Sequence, residues 1–195
     1  MTFTAAQYEK VRGKGGYARR GTRMSGATIT MEVDAKEILA RLDGLEKYTA
    51  IRVLNTAGTY ATRIIDARTR DLYLRATWKS KPRKSGFRKR IKTKGAFRYT
   101  TKANKYGTMK FTSGFNYRYP EMRLGFLLER GHSVAGTETK TKPMNLRKLA
   151  YKQRVHKARQ AFAKAFKLAF ELASNHPKGY VSMKVLQSSL GDPWK

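Results

Sequence analysis

Cysteine is absent from the 195-residue chain, which excludes a disulfide framework and thiolate metal sites alike. Acidic residues are scarce: 13 Asp plus Glu stand against 43 Lys plus Arg, a formal charge of +30. From Arg75 to Lys110 there are 14 Lys or Arg and no Asp or Glu. No apolar run approaches the ~20 residues that a membrane span needs. Met1 to Arg12 carries no apolar stretch of the kind a signal peptide uses. The expectation is a soluble chain made in the cytosol, without a membrane partner. An isolated fold with this charge repels itself, so a polyanionic neighbourhood is expected: nucleic acid, or an acidic face in an assembly.

Catalytic constellations are missing too. The three histidines, His132, His156 and His176, show no His-x-x-x-His or HExxH spacing, so no metal site is predicted. Gly131-His132-Ser133 lacks the second glycine of a nucleophile elbow, because Ala135 stands there. There is no Walker A run. Gly13-Lys14-Gly15-Gly16-Tyr17-Ala18 matches a dinucleotide loop superficially, but no apolar strand precedes it and no amphipathic helix follows. Glu129 is an isolated carboxylate in a basic protein, and a salt bridge is the simpler role for it. The chain is read as a non-enzyme without a cofactor.

Apolar residues make up 40% of the chain, enough for one modest core. Residues 1–26, rich in Gly, Arg and Lys, are predicted to be a flexible basic arm. Ala27 to Val33 alternates Ile29, Met31 and Val33 with polar residues, a strand pattern. Asp34 stands where a helix N-cap is expected, with Glu37 at the capping-box position and Ile38, Leu39 and Leu42 on one face. A longer helix is predicted from Glu46 to Leu74, where Ile51, Leu54, Gly58, Ala61, Ile65, Arg68 and Leu72 recur at steps of three and four. Gly58, with Ala57 and Ala61, leaves room for another backbone to approach.

Lys79 to Gly86 reads as an exposed loop. Lys79, Lys81, Arg83, Lys84, Arg88, Lys89, Arg90, Lys92 and Lys94 are the candidate contacts to a polyanion or partner. Phe87, Ile91, Phe97, Tyr99, Met109, Phe111 and Phe115 alternate loosely with basic and polar residues, which predicts two or three antiparallel strands. Their aromatics should face inward and their charges outward. Turns are expected at Lys94-Gly95, Ala103 to Gly107 and Ser113-Gly114. Met122 to Leu128 is predicted as a further strand, ending at Glu129-Arg130-Gly131. After a Thr- and Lys-rich loop, a second long helix should run from Leu146 to Ser174. Its alanines at 161, 165, 169 and 173 adjoin phenylalanines at 162, 166 and 170 on one face. Residues 175–195 read as a tail that docks on a neighbour. The fold class is α+β, an antiparallel meander packed against long helices, with residues 27–174 as the single core domain.

The order of these features resembles the small tail-completion and head-to-tail joining proteins of tailed bacteriophages. In that family a segment like Thr-Gly-x-Leu-Arg-x-Ser-Ile follows the long helix. Ser85-Gly86-Phe87-Arg88-Lys89-Arg90-Ile91 stands in that place, one residue shorter and without the Leu-Arg pair. The family then has an apolar residue, Glu, an aromatic, Gly and a small polar residue. Leu127-Leu128-Glu129-Arg130-Gly131-His132 is similar, with Arg130 and His132 as the departures. A proline-led entry to the last helix recurs near Pro143 and Met144. The resemblance covers Met31 to Ser174. It implies a structural virion protein of the neck or tail, assembled in the host cytoplasm. It further implies a homo-oligomeric ring between the portal or connector and the tail tube or terminator, within reach of packaged DNA. Ser85, Gly86, Glu129 and Gly131 would be its structural motif residues. A sequence-nonspecific nucleic-acid-binding protein of ribosomal or nucleoid type is the alternative: generic phosphate affinity is expected, sequence-specific readout is not.

Overall fold

A computed structural model describes residues 29–34, 45, 47–76, 86–103, 108–131, 133, 138, 141–175 and 181–194. The elements in chain order are β1 (Ile29–Asp34), α1 (Lys47–Arg75), α2 (Gly86–Ile91), a 3-10 turn (Lys94–Ala96), β2 (Phe97–Ala103), β3 (Thr108–Phe115), α3 (Glu121–Arg130), α4 (Leu146–Asn175) and α5 (Met183–Leu190). The fold is α+β: three antiparallel strands in the order β1-β3-β2 lie against long helices. The basic arm and the short helix expected after Asp34 lie outside the described residues, and Asp34 itself closes β1.

Strand alternation decides which side meets the helices. The register pairs Ile29 with Ser113, Met31 with Phe111, Val33 with Met109, and Phe97 with Phe115. These odd-numbered positions therefore share one face, and Ile29, Met31, Met109, Phe111, Phe115 and Phe97 on it are buried. The other face is polar. There Glu32 sits opposite Lys110 and pairs with it at 2.6 Å, and the Thr30 and Thr112 hydroxyls lie 3.1 Å apart. The expected division of aromatics inward and charges outward is what the sheet shows.

The two long helices form where the stripes place them. Ala50, Val53, Leu54, Ala57, Ala61 and Ile65 of α1 are buried with Ala158, Phe162, Ala165, Phe166, Ala169 and Ala173 of α4 in one apolar cluster. Gly58 serves a close approach, but by a ring rather than a backbone. A Cβ built there would lie 2.0 Å from Cδ1 of Phe111, whose ring in turn packs on Phe162 at 5.0 Å between centroids. A second cluster gathers Tyr73, Phe87, Ile91, Phe97, Phe115, Met122 and Trp194.

Four expectations are corrected. Phe87 and Ile91 are not in a strand: four residues apart, they form the buried side of the short helix α2. Met122 to Leu128 lies in α3, not in a strand, with Met122, Gly125 and Glu129 turned inward at helical steps. Gly125 lets that helix lie against Phe87 and Phe115, which a Cβ there would meet at 2.8 and 2.9 Å. Ser113-Gly114 is no turn but the interior of β3, with Gly114 opposite Arg98. The C-terminal residues close on their own chain. Ser182 caps α5, accepting from the Val185 amide at 3.3 Å. Val181, Leu186 and Trp194 are buried in the two clusters. The Tyr73-side cluster takes Trp194, and the Tyr60 hydroxyl donates to the carbonyls of Leu190 and Gly191 at 3.0 and 2.9 Å.

Candidate functional site

A row of polar side chains runs along α1 beside its apolar stripe. Thr62, Asp66, Thr69 and Tyr73 follow at steps of four, three and four, and all are at most 1% exposed. The two threonines turn back onto their own helix, donating to the carbonyls of Gly58 and Ile65 at 2.9 and 3.0 Å. Asp66 and Tyr73 reach outward to other elements.

Asp66 meets Ser113 of β3 and Arg147 of α4. The Ser113 Oγ lies 2.8 and 2.6 Å from the two Asp66 oxygens. Arg147 Nη2 donates to Asp66 Oδ1 at 3.3 Å and to the Ser113 carbonyl at 3.0 Å. The guanidinium sits against the stacked rings of Phe97 and Phe115, with its Cζ 5.1 and 4.9 Å from their centroids. Burial pushes the Asp66 carboxyl above its ordinary value, while Arg147 and the Ser113 hydroxyl pull the other way. Tyr99 faces the same carboxylate, and burial followed by the Asp66 charge drives its phenol well above the usual range.

Glu129, at the end of α3, makes the second junction. Its Oε1 accepts from the Tyr73 hydroxyl at 2.6 Å and from the Arg147 amide at 2.9 Å. That amide belongs to the first turn of α4, where backbone donors have no partner within the helix. Burial first, then the neighbouring carboxylate, pushes the Tyr73 phenol up. Two residues on, Gly131 has φ of +72°, and a Cβ there would come within 2.3 Å of the Thr141 carbonyl oxygen. Glu129 and Gly131 thus join α3 to α4, and among the described residues Glu129 meets two neutral donors and no ion-pair partner of the kind expected for it. They mark a helix end, where the sequence reading has a strand end.

The hub is a closed arrangement. Asp66, Ser113 and Arg147 are 0%, 1% and 2% exposed, and the Arg147 contacts run through Nη2, while its buried Nε and Nη1 have no hydrogen-bond partner among the described residues. A groove of about 880 Å³ lies elsewhere, lined by residues of β1 and α4 that include Val33, Arg159, Phe162, Phe166 and Lys167. Among the described residues no group of three His, Asp or Glu is placed to hold a metal ion. No helix among them is long and apolar enough to cross a membrane.

The predicted contact residues divide. Lys79, Lys81, Arg83, Lys84 and Ser85 lie outside the described residues, and Lys94 enters only as the start of the 3-10 turn. Gly86 opens α2. Arg88 donates to the Leu74 carbonyl at 3.2 Å, near the end of α1, and Arg90 stacks on Tyr119. Lys89 and Lys92 are exposed. A second cationic surface is on α4, where the sequence already places Lys148, Lys152, Arg159, Lys164 and Lys167 around the phenylalanine row without counting them among the predicted contacts; these five and Lys157 are all exposed. Its periodic signal is present in the sequence beside the phenylalanine row.

No protein-family model matches the chain, and no curated protein or solved structure does.

Proposed function

We propose that this protein is a non-enzymatic assembly subunit of a tailed-phage neck, a tail-completion component that forms a homo-oligomeric ring between head connector and tail. The observation that carries the reading is the joint at Glu129 and Gly131. These are the residues through which the sequence resembles that family, and each has a structural task that its side chain, or lack of one, is suited to perform. Glu129 accepts from the first turn of α4 and ties that helix to α1 through Tyr73. Gly131 turns the chain where a Cβ would strike Thr141. Support also comes from the α+β scaffold itself, with its polar network sealed inside and its charge outside. In this role the virion is where the protein resides, and its neighbours are portal or connector and tail tube or terminator proteins.

Electron microscopy of purified protein and of particles tests it. Rings, and density for the subunit at the neck, are expected. A chain that stays monomeric and never enters virions or tails sinks the reading. The alternative, a nucleic-acid-binding protein of ribosomal or nucleoid type, is favoured by the exposed lysines of α4. It is tested by co-purification with RNA or DNA that survives moderate salt.

A further inference from the structure

The outer side of α4 has a regular charge pattern. Lys148, Lys152, His156, Arg159, Ala163 and Lys167 follow at steps of four, four, three, four and four, forming one stripe along the helix, and Lys157 and Lys164 lie on the row beside it. All eight side chains are exposed. From Lys148 to Lys167 the stripe extends about 28 Å at 1.5 Å per residue. Among the described residues, none of its six Lys and Arg side chains has an ion-pair partner. Glu171 is the one acid of the helix, and with Glu32 and Asp34 it lines the groove that Arg159, Ala163 and Lys167 also line. The cations away from those carboxylates are therefore Lys148, Lys152, Lys157 and Lys164.

We propose that this face of α4 is a docking surface for the phosphate backbone of duplex nucleic acid, bound without regard to sequence. Five of the six cations are lysines, a residue depleted at protein interfaces but well suited as a point charge on phosphate. Anchoring aromatics, which protein interfaces use, are missing: Phe162, Phe166 and Phe170 of the same helix are turned to the core or the groove. For the same reason no stacking platform for single strands is on offer. A duplex presents about one charge per 1.7 Å of axis, so a straight line of cations meets a matching lattice wherever it lands. Within the neck reading, on which only the identity of the nucleic acid depends, the partner is packaged duplex DNA.

The test uses the full chain and a fluorescent duplex of random sequence, with anisotropy read across a salt series. Binding steepens by about 0.9 in the log–log slope for each phosphate neutralised, so the variant K148Q/K152Q/K157Q/K164Q should be shallower than wild type by roughly 3 to 4. A charge-matched control, K102Q/R118Q/R123Q/K184Q, removes exposed cations elsewhere and should keep most of the slope. The proposal is overturned by an unchanged slope in the α4 variant, or by an equal loss in the control. It is also overturned if polyglutamate binds wild type with the same dependence on the α4 lysines, which would make this an acidic-protein surface. Should the fourfold variant fold poorly by circular dichroism, K152Q/K157Q should show about half the change in slope. Rings are scored by microscopy in the same samples. Normal rings with a lost slope support the α4 surface independently, whereas absent rings with an intact slope count against the neck reading alone.

Discussion

The helices α1 and α4 are nearly equal in length, 29 and 30 residues, and they pack on each other, yet they treat their cations in opposite ways. On α1 three arginines are used within the molecule. Arg63 lies over the Tyr99 ring with its Cζ 5.8 Å from the centroid, and Arg68 donates to Gln153 at 2.7 Å. Arg70 pairs with Asp71 at 3.0 Å and lies 5.2 Å from the Trp194 ring centre. On α4 one cation, Arg147, goes inward, and six others point outward without an ion-pair partner among the described residues. The type of residue explains part of this. Arginine can stack and bind in two directions at once, whereas lysine keeps its charge in water on a long apolar stem. Charge in this protein is thus of two kinds: one holds the fold, and the other is available to a partner.

Removing Arg147 is the strongest way to break that division. Arg147→Met keeps an apolar stem against Phe97 and Phe115 but leaves Asp66 buried with only the Ser113 hydroxyl and Tyr99 beside it. Breaking a buried pair by deleting one partner costs about 3–5 kcal/mol, to be read as a fall in the urea midpoint. The double variant R147M/D66N should recover much of the loss. Equal losses in the single and double variants would show that the pair is not coupled.

Glu129→Ala should rank next. It strands the Arg147 amide and leaves the Tyr73 hydroxyl only the Gly125 carbonyl at 3.3 Å, at about 1–3 kcal/mol for a buried donor left unpaired. Glu129→Gln keeps the accepting oxygen and should lose clearly less. A Gln variant as unstable as the Ala variant would mean that charge at the start of α4 matters more than the acceptor.

The division was only partly legible in the sequence. Both long helices and β1 were, because their apolar residues recur at one clear period over many turns. Phe87 and Ile91 at a spacing of four already fit a helix, but so short a segment also fits a loose alternation. Met122 to Leu128 has too dense an apolar run to show a period, and its state is settled by Gly125 seating against Phe87 and Phe115. The hub was hidden for a different reason. Asp66 and Arg147 read locally as solvent-facing charges, and only the β3 strand that inserts Ser113 between them makes them internal. One clue was available: Thr62, Asp66, Thr69 and Tyr73 form a continuous helical row next to the apolar stripe. A polar row in that position has to find its partners inside.

Gly58→Ala tests the packing beneath both helices. Alanine suits a helix better than glycine by about 1 kcal/mol, but its Cβ would lie 2.0 Å from the Phe111 ring. Overpacking of that kind costs about 1–3 kcal/mol, so a net loss is expected in thermal unfolding. A stabilised variant would mean that Phe111 moves aside without disturbing Phe162.

The smallest effect concerns pH, and its sign follows from Asp66. Burial raises this carboxyl above its ordinary value in the folded state despite Arg147. The folded protein therefore holds a proton on Asp66 over a range in which the unfolded chain has released it. Stability from this group is greatest below the ordinary carboxylate value and declines as pH rises through the raised one. Asp66→Asn cannot release the proton and should flatten this part of the urea midpoint profile against pH, whatever it does to the absolute stability. Lysine 148 or 152 changed to glutamine should leave the same profile untouched, each within about 0.5 kcal/mol of wild type at every pH. A pH profile that responds to the outer lysines as strongly as to Asp66 would erase the distinction between the two kinds of charge.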